Sequence, residues 1–372
     1  MKRFGTLAAA LTLVGATACT AAPHPGTTTD RPFTVTPAGE FARPWAMAFI
    51  PGTSTALITE QTGTLHLRAP DGTTRQVTGT PQVVDRGQGG LGDVAVLPTP
   101  LGQASPAPPT PVQIYLTWVE AGPADLTGAV LGRATLDPAK AALTDLTILW
   151  RQTPKVSGDG HFSHRIAFDP DGQHLFLSSG DRQKFDPAQD PAQDLGKIIR
   201  MGLDGSNPEH WTLGHRNPLG LAFDPQGRLW STEMGPKGGD ELNLITRGGN
   251  YGWPRVSNGS HYDGRPIPDH APGDGFVAPL ASWDPSISPG SLIIYTGPAF
   301  PKWRGDAVFG ALSGQALVVV DLAEGTVARP ADIYPMGQRI REVEQAPDGT
   351  LWLLEDGEPG RAGRLLHVTP AG

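Results

Sequence analysis

Read for apolar and polar positions, the chain repeats one theme: a short apolar strand, a turn rich in Pro, Asp or Gly, then a second apolar strand. The theme runs through PWAMAFIPGTSTALITEQTGTLHLRAPDG from Pro44, HRIAFDPDGQHLFLSSGD from His164, LGLAFDPQGRLWSTEMG from Leu219 and REVEQAPDGTLWLLEDG from Arg341. Weaker copies are GGLGDVAVLPTP with PVQIYLTWVE, and SLIIYTGPAF with FGALSGQALVVVDL. Alternation of this kind around turn residues predicts half-buried hairpins. Taking Pro44, Gly92, Arg165, Pro218, Gly290 and Arg341 as equivalent points gives intervals of 48, 73, 53, 72 and 51 residues. Several short strands per unit at a period of about 40 to 50 residues are the mark of a β-propeller. The expected fold is therefore all-β, a six-bladed β-propeller of four-stranded antiparallel sheets forming one domain over residues 33–372. The two long intervals hold insertions read as surface loops, the Pro-rich run PTPLGQASPAPPTP and the stretch from Ser257 to Pro285. FTVTPAGE, from Phe33, is the candidate strand that joins the last blade and closes the ring.

Composition agrees with short elements: 48 Gly and 38 Pro in 372 residues argue against long helices. A formal net charge of -8 without Lys/Arg runs argues against nucleic acid as a partner and for small-molecule chemistry. Lys2 and Arg3 followed by LAAALTLVGATA read as an export signal over residues 1–18, too short to span a membrane as a mature helix. The only cysteine, Cys19, follows it, so no intrachain disulfide is possible. ATAC resembles a lipoprotein processing site, which favours a lipid anchor through Cys19, while Ala16-Thr17-Ala18 also suits the ordinary signal peptidase. Either route predicts an exported protein, periplasmic or anchored to the cell envelope, with residues 19–32 as a solvated tether.

The stretch from Leu213 to Pro254 carries groups that a packed sheet does not need. His215, Arg216 and Asn217 precede a proline, which predicts extended backbone. GPKGGDE then offers a glycine-rich turn whose carbonyls can point inward, followed by Asp240 and Glu241, a combination suited to a hard cation such as calcium. In a propeller the loops at one end of the channel converge. RGQGGLGD, SGDGHFSHR, LGHRNP with EMGPKGGDE, and GQRIREV are therefore read together.

In this order these segments, with GGDELNLITRGGNYGWP and DPSISPG, resemble the soluble glucose and aldose sugar dehydrogenases, quinoproteins that use pyrroloquinoline quinone (PQQ) and calcium on a six-bladed propeller. The similarity runs from Phe41 to Pro370. It implies that His161 is the general base for the anomeric hydroxyl of an aldose, with Asp181 orienting its imidazole. It implies that Arg216 stands at the quinone oxygen, that Asn217 and Ser286 contact the cofactor, and that Gln88 positions substrate and water. The carbonyls of Gly235 and Pro236 match the catalytic calcium site. Glu241 and the backbone of Tyr251 match a structural one, with Asp240 either beside it or a solvated turn carboxylate. Arg339 and Arg341, two apart on a strand, leave the same face, and two adjacent cations repel unless an anion sits between them. The resemblance supplies that anion as the carboxylates of the cofactor.

His164, in a slot where the family usually has a small residue, is read as structural or peripheral. Leu219 and Met234 stand where the glucose dehydrogenases have glutamines, and ALSGQAL around Ser313 and Gly314 lacks their lysine, which points to the aldose sugar dehydrogenase branch. The resemblance thus implies oxidation of aldoses to lactones. Without a C-x-x-C-H haem motif, the electrons pass to an external acceptor. A monomer or a homodimer fits equally. Two other readings stand beside it: a calcium-dependent propeller hydrolase such as a lactonase, and a non-enzymatic carbohydrate-binding propeller using the many Trp residues. Converging arginines and carbonyls favour an anionic cofactor over the hydrolase, and in a binding propeller His161 paired with Asp181 would have no required role.

Overall fold

The computed structural model describes residues 30–97, 111–323, 326–327 and 329–372. The signal, Cys19, nearly all of the tether and most of the Pro-rich insertion lie outside the described residues. Six four-stranded antiparallel sheets follow one another along the chain. Their first strands are Pro44–Phe49, Leu91–Val96, Ser163–Phe168, Pro218–Phe223, Pro289–Ile294 and Ile340–Gln345. Each of these touches the first strand of the next sheet, and the sixth touches the first again, so they form a closed inner ring. The six equivalent points chosen from the sequence all fall within the first three residues of these strands. Numbering blades by these strands, the sixth is completed out of order: Phe33–Phe41 pairs antiparallel with Gly363–Pro370, as the FTVTPAGE reading anticipated.

Burial explains the apolar runs. The second strands, such as Ala56–Glu60, Leu229–Glu233 and Ala307–Ala311, are buried at every position. Both faces of such a strand are covered by neighbouring blades, so burial no longer alternates along it. Outer strands such as Thr74–Val77 meet water and carry polar residues. In blades 3, 4 and 6 the connection between first and second strands uses an Asx turn at Asp169, Asp224 or Asp348. Asp224 Oδ1 accepts from the Gln226 and Arg228 amides, and Gly227 supplies the positive φ of 79° that closes the turn.

All six inner strands share one irregularity, a register shift within their first residues, for example between Ser163 and Ile166 or between Pro218 and Gly220. Bulges twist a strand and re-aim its side chains. Here they lie at a single end of the ring, where the loops entering the first strands meet the loops leaving the second strands. The Ser257 to Pro285 insertion belongs to blade 4. It is not all loop, since it contains that blade's short outer strand, Ala281–Trp283, which pairs with Asp240–Leu242.

Candidate active site

The polar clusters read from the sequence converge at the bulged end. The His161 imidazole is buried, and its Nδ1 lies 2.7 Å from Asp181 Oδ1. Asp181 is fully buried and tightly held: Oδ1 also accepts from the Gln183 amide, and Oδ2 from Trp253 Nε1 at 2.8 Å and the Phe185 amide. Gln88 accepts from the His161 backbone amide at 2.7 Å, so it fixes the loop that carries the imidazole. His161, Ser163, His164, Arg182, Gln183 and Phe185 all have positive φ, a concentration of unfavourable backbone around one group of side chains. Arg182 offsets part of this. Buried on the face of Phe162, it donates to the carbonyls of Gly158, Gly160 and Thr127 and clamps the loop, and burial brings its guanidinium down to about 10.

Arg216 opens onto the same cavity of about 300 Å³ as His161, together with Pro236, Trp253, Phe185, His261 and Tyr262. Among the described residues no carboxylate lies within ion-pairing distance of its guanidinium. Nη1 donates to the Met234 carbonyl at 3.0 Å, Nη2 to the Tyr262 hydroxyl at 3.2 Å, and buried Nε has no partner. A buried cation is normally paired or neutralised. This one is free to receive an anionic or electron-rich group. Its backbone is held from below by Glu233, whose Oε1 accepts from the Arg216 and Asn217 amides and whose Oε2 takes His215 Nδ1 at 2.9 Å. Asn217 Oδ1 accepts from Ser163, linking the arginine loop to the histidine loop.

The GPKGGDE turn is packed backbone on backbone. A Cβ at Gly235 would overlap the carbonyls of Gly238 and Gly239. Asp240 is not the solvated turn carboxylate that was one of its two readings. Buried, it receives the Gly235 amide on Oδ1 and the Ile287 and Ser288 amides on Oδ2, and burial raises it to about 6. It ties the turn to the DPSISPG segment, where Ser286 accepts from the Gly238 amide. Ser313 closes the same unit by donating to the Ser286 carbonyl. Glu241 is different. Among the described residues its carboxylate accepts one hydrogen bond, from Asn243, with His270 Nε2 3.9 Å away, and burial together with the nearby Glu233 carboxylate pushes it up to about 8. A void of about 10 Å³ lies among Glu241, Glu233, Gly235 and Tyr251, the size of one small occupant.

The arginine pair requires a correction. The anion between Arg339 and Arg341 is supplied by the chain itself: Asp356 takes Arg339 Nε at 2.8 Å and Arg341 Nε at 2.6 Å. Asp356 closes the second strand of the same blade, so the pair would be held apart without any ligand, leaving the remaining guanidinium nitrogens for one. His164 is buried, not peripheral. It packs on Trp45 and Phe162, and its position beside Gly92 fills the space a Cβ there would need. Desolvation lowers it to about 3, so it is a neutral packing element and no base. Asp181, His161, Arg216 and the turn carbonyls were reachable from motifs. Trp253, Glu233, Asp356, Phe185 and Tyr262 were not singled out. For Trp253 the signal was available in NYGWP, and for Asp356 in the acidic pair ending LLED.

A family model described as glucose/sorbosone dehydrogenase matches residues 41–367. The chain belongs to this family. It is 35% identical over 346 residues to the aldose sugar dehydrogenase YliI of Escherichia coli K12, covering 88% of this chain and 90% of that protein. The crystal structure of the soluble aldose sugar dehydrogenase from Escherichia coli in its apo-form superposes with a TM-score of 0.82 at 32% identity, over 91% of this chain and all of that one. The PQQ-bound form of aldose sugar dehydrogenase from Streptomyces coelicolor gives 0.72 at 25% identity, over 92% and 99%.

Proposed function

We propose that the protein oxidises the anomeric carbon of aldoses to lactones, using PQQ with calcium, and passes two electrons to an external acceptor. One observation carries this reading: a carboxylate-held imidazole and a buried, unpaired guanidinium open onto the same cavity. The side chains fit the cofactor. Arg216 has a free buried Nε, and Arg339 and Arg341 keep donors beyond those committed to Asp356. Asn217 and Ser286 border the same loops. The Gly235 and Pro236 carbonyls would hold the catalytic ion, and Glu241 with the Tyr251 backbone a structural one, where a divalent cation relieves the crowding of Glu241 against Glu233.

When bound, calcium-ligated PQQ supplies the electrophilic carbonyl that accepts hydride. His161 takes the proton of the anomeric hydroxyl on Nε2, because its Nδ1 proton is committed to Asp181. Asp181, fixed by its other donors, balances the imidazolium that results. Arg216 stabilises negative charge developing on the acceptor oxygen, where a permanent cation in a dry site is most effective. The sugar leaves as a lactone. From the sequence we place the protein outside the cytoplasm, anchored through a lipid on Cys19.

Reconstitution of the purified apoprotein with PQQ and calcium tests the proposal. Aldose-dependent dye reduction and bleaching of the oxidised cofactor are expected. His161→Ala should lose turnover by at least about 100-fold while still binding PQQ in an absorbance titration. Unchanged activity in that variant removes the base assignment, and the absence of any spectral response to aldose removes the function.

A further inference from the structure

Tyr262 combines two properties that ordinary packing does not bring together. Its side chain is 74% exposed, yet its hydroxyl is bonded to a guanidinium that is 6% exposed. It is the only side chain among the described residues that hydrogen-bonds the Arg216 head group, and its ring stands 5.8 Å from the guanidinium carbon. On the other side Arg216 faces Trp253 at 5.3 Å. Two aromatic rings and one phenol oxygen therefore hold a long side chain that would otherwise sample many rotamers.

The tyrosine is itself held in register with the metal-binding turn proposed above. It sits on a tight hairpin closed by His261 and Arg265, with Gly264 at a φ of 87°. At the foot of that hairpin Gly259–Ser260 pairs with Lys237–Gly238. The contact is backbone to backbone, since a Cβ at Gly239 would run into the Gly259 amide and a Cβ at Gly259 into the Gly238 carbonyl. The phenol thus has a defined position relative to the Gly235 and Pro236 carbonyls. Across the cavity Phe185 stacks on Trp253 and approaches His261, giving the mouth an aromatic rim. Such a rim suits the C–H faces of a sugar ring.

We propose that Tyr262 is a positioning residue for Arg216 and the outer wall of the aldose pocket, so that it governs both the hydride step and the choice among aldoses. The proposal rests on the function stated above. Its test compares wild type, Tyr262→Phe and Tyr262→Ala, each reconstituted with PQQ and calcium chloride. Tyr262→Phe should bind PQQ within about threefold of wild type by absorbance titration and melt at the same temperature. Its kcat with glucose should fall about tenfold, the effect of one lost hydrogen bond to a charged group. The reduction potential of the bound cofactor should move negative, a readout that a merely structural tyrosine would not shift. Tyr262→Ala should in addition change the ratio of kcat/KM for glucose over maltose by more than about threefold. A Tyr262→Phe protein with wild-type kcat and potential overturns the proposal, and so does one that no longer binds PQQ, since the residue would then be a cofactor ligand. A wild-type protein that neither binds PQQ nor oxidises glucose instead overturns the function on which it rests.

Discussion

Asp181 shows how much of the site depends on a fully buried residue that acts through the imidazole it holds. Two of its four donors come from backbone, one from His161 and one from the Trp253 indole, 72 residues further along the chain. Trp253→Phe keeps a ring beside Phe185 and Arg216 but removes the indole N–H. The expected loss is about 1 kcal/mol of orientation, seen as a fall in kcat of about fivefold at saturating aldose with little change in melting temperature. His161 and Asp181 could be read from short motifs because each stands in a recognisable local setting. Trp253 also stands in a legible motif, NYGWP, but its bond to Asp181 depends on the segment after Asp240–Ile245 folding back over blade 3, where Leu213 bridges to Asn250. For the arginine pair, the anion that the sequence reasoning asked for is supplied within the chain. The reasoning that two cations need an anion was sound, but Asp356 is brought to them by strand pairing, which spacing along the chain cannot express.

At the level of strands and turns, blades 2 and 3 are keyed together by Gly92 and His164. A Cβ on Gly92 would overlap the imidazole, and His164 has no hydrogen-bond partner to redirect it. Gly92→Ala should therefore destabilise the fold by about 1 to 3 kcal/mol, and His164→Gly should recover a large part of that in the double variant. Urea unfolding of the four proteins of the cycle measures the coupling, and strict additivity would show that the two positions do not touch. The positive φ of 51° at His164 makes glycine a comfortable replacement there. A second prediction concerns the acidic turn. Glu241→Gln should abolish the rise in melting temperature produced by calcium chloride, while Asp240→Asn should lower the melting temperature with or without the ion, because Asp240 binds three amides. First and second strands were legible as apolar hairpins. The outermost strands were not, since a segment as short as Ala281–Trp283 is defined by its partner rather than by its own pattern.

Across the whole molecule, the inner ring encloses a cavity of about 410 Å³ at the end away from the bulges. Arg165 stands in it on the face of Trp45, pairing with Asp93 at 3.3 Å and Glu342 at 2.8 Å, with Glu344 nearby. Three carboxyls share one guanidinium, and burial outweighs the pairing. Glu342 is pushed up to about 8, and Asp93 and Glu344 also move upward. A carboxyl raised in the fold favours the protonated native state, so its contribution is complete below the ordinary value of 4.5 and is lost as pH climbs toward about 8. The calcium-free protein should accordingly lose stability across that window, and Glu342→Gln should flatten the slope in urea titrations. A slope unaffected by the substitution would assign the dependence elsewhere.

The pairing of Phe33–Phe41 with Gly363–Pro370 also sets an order of events. Phe33–Phe41, made before any of the blades, has no partner until Gly363–Pro370 has been made. Until then its amides and carbonyls form an unsatisfied edge, available to any passing strand. A nascent chain of this protein can assemble five blades while its circle stays open, and a stop before Gly363 leaves both flanks of the gap unpaired. Truncation products should therefore aggregate rather than accumulate as smaller soluble rings.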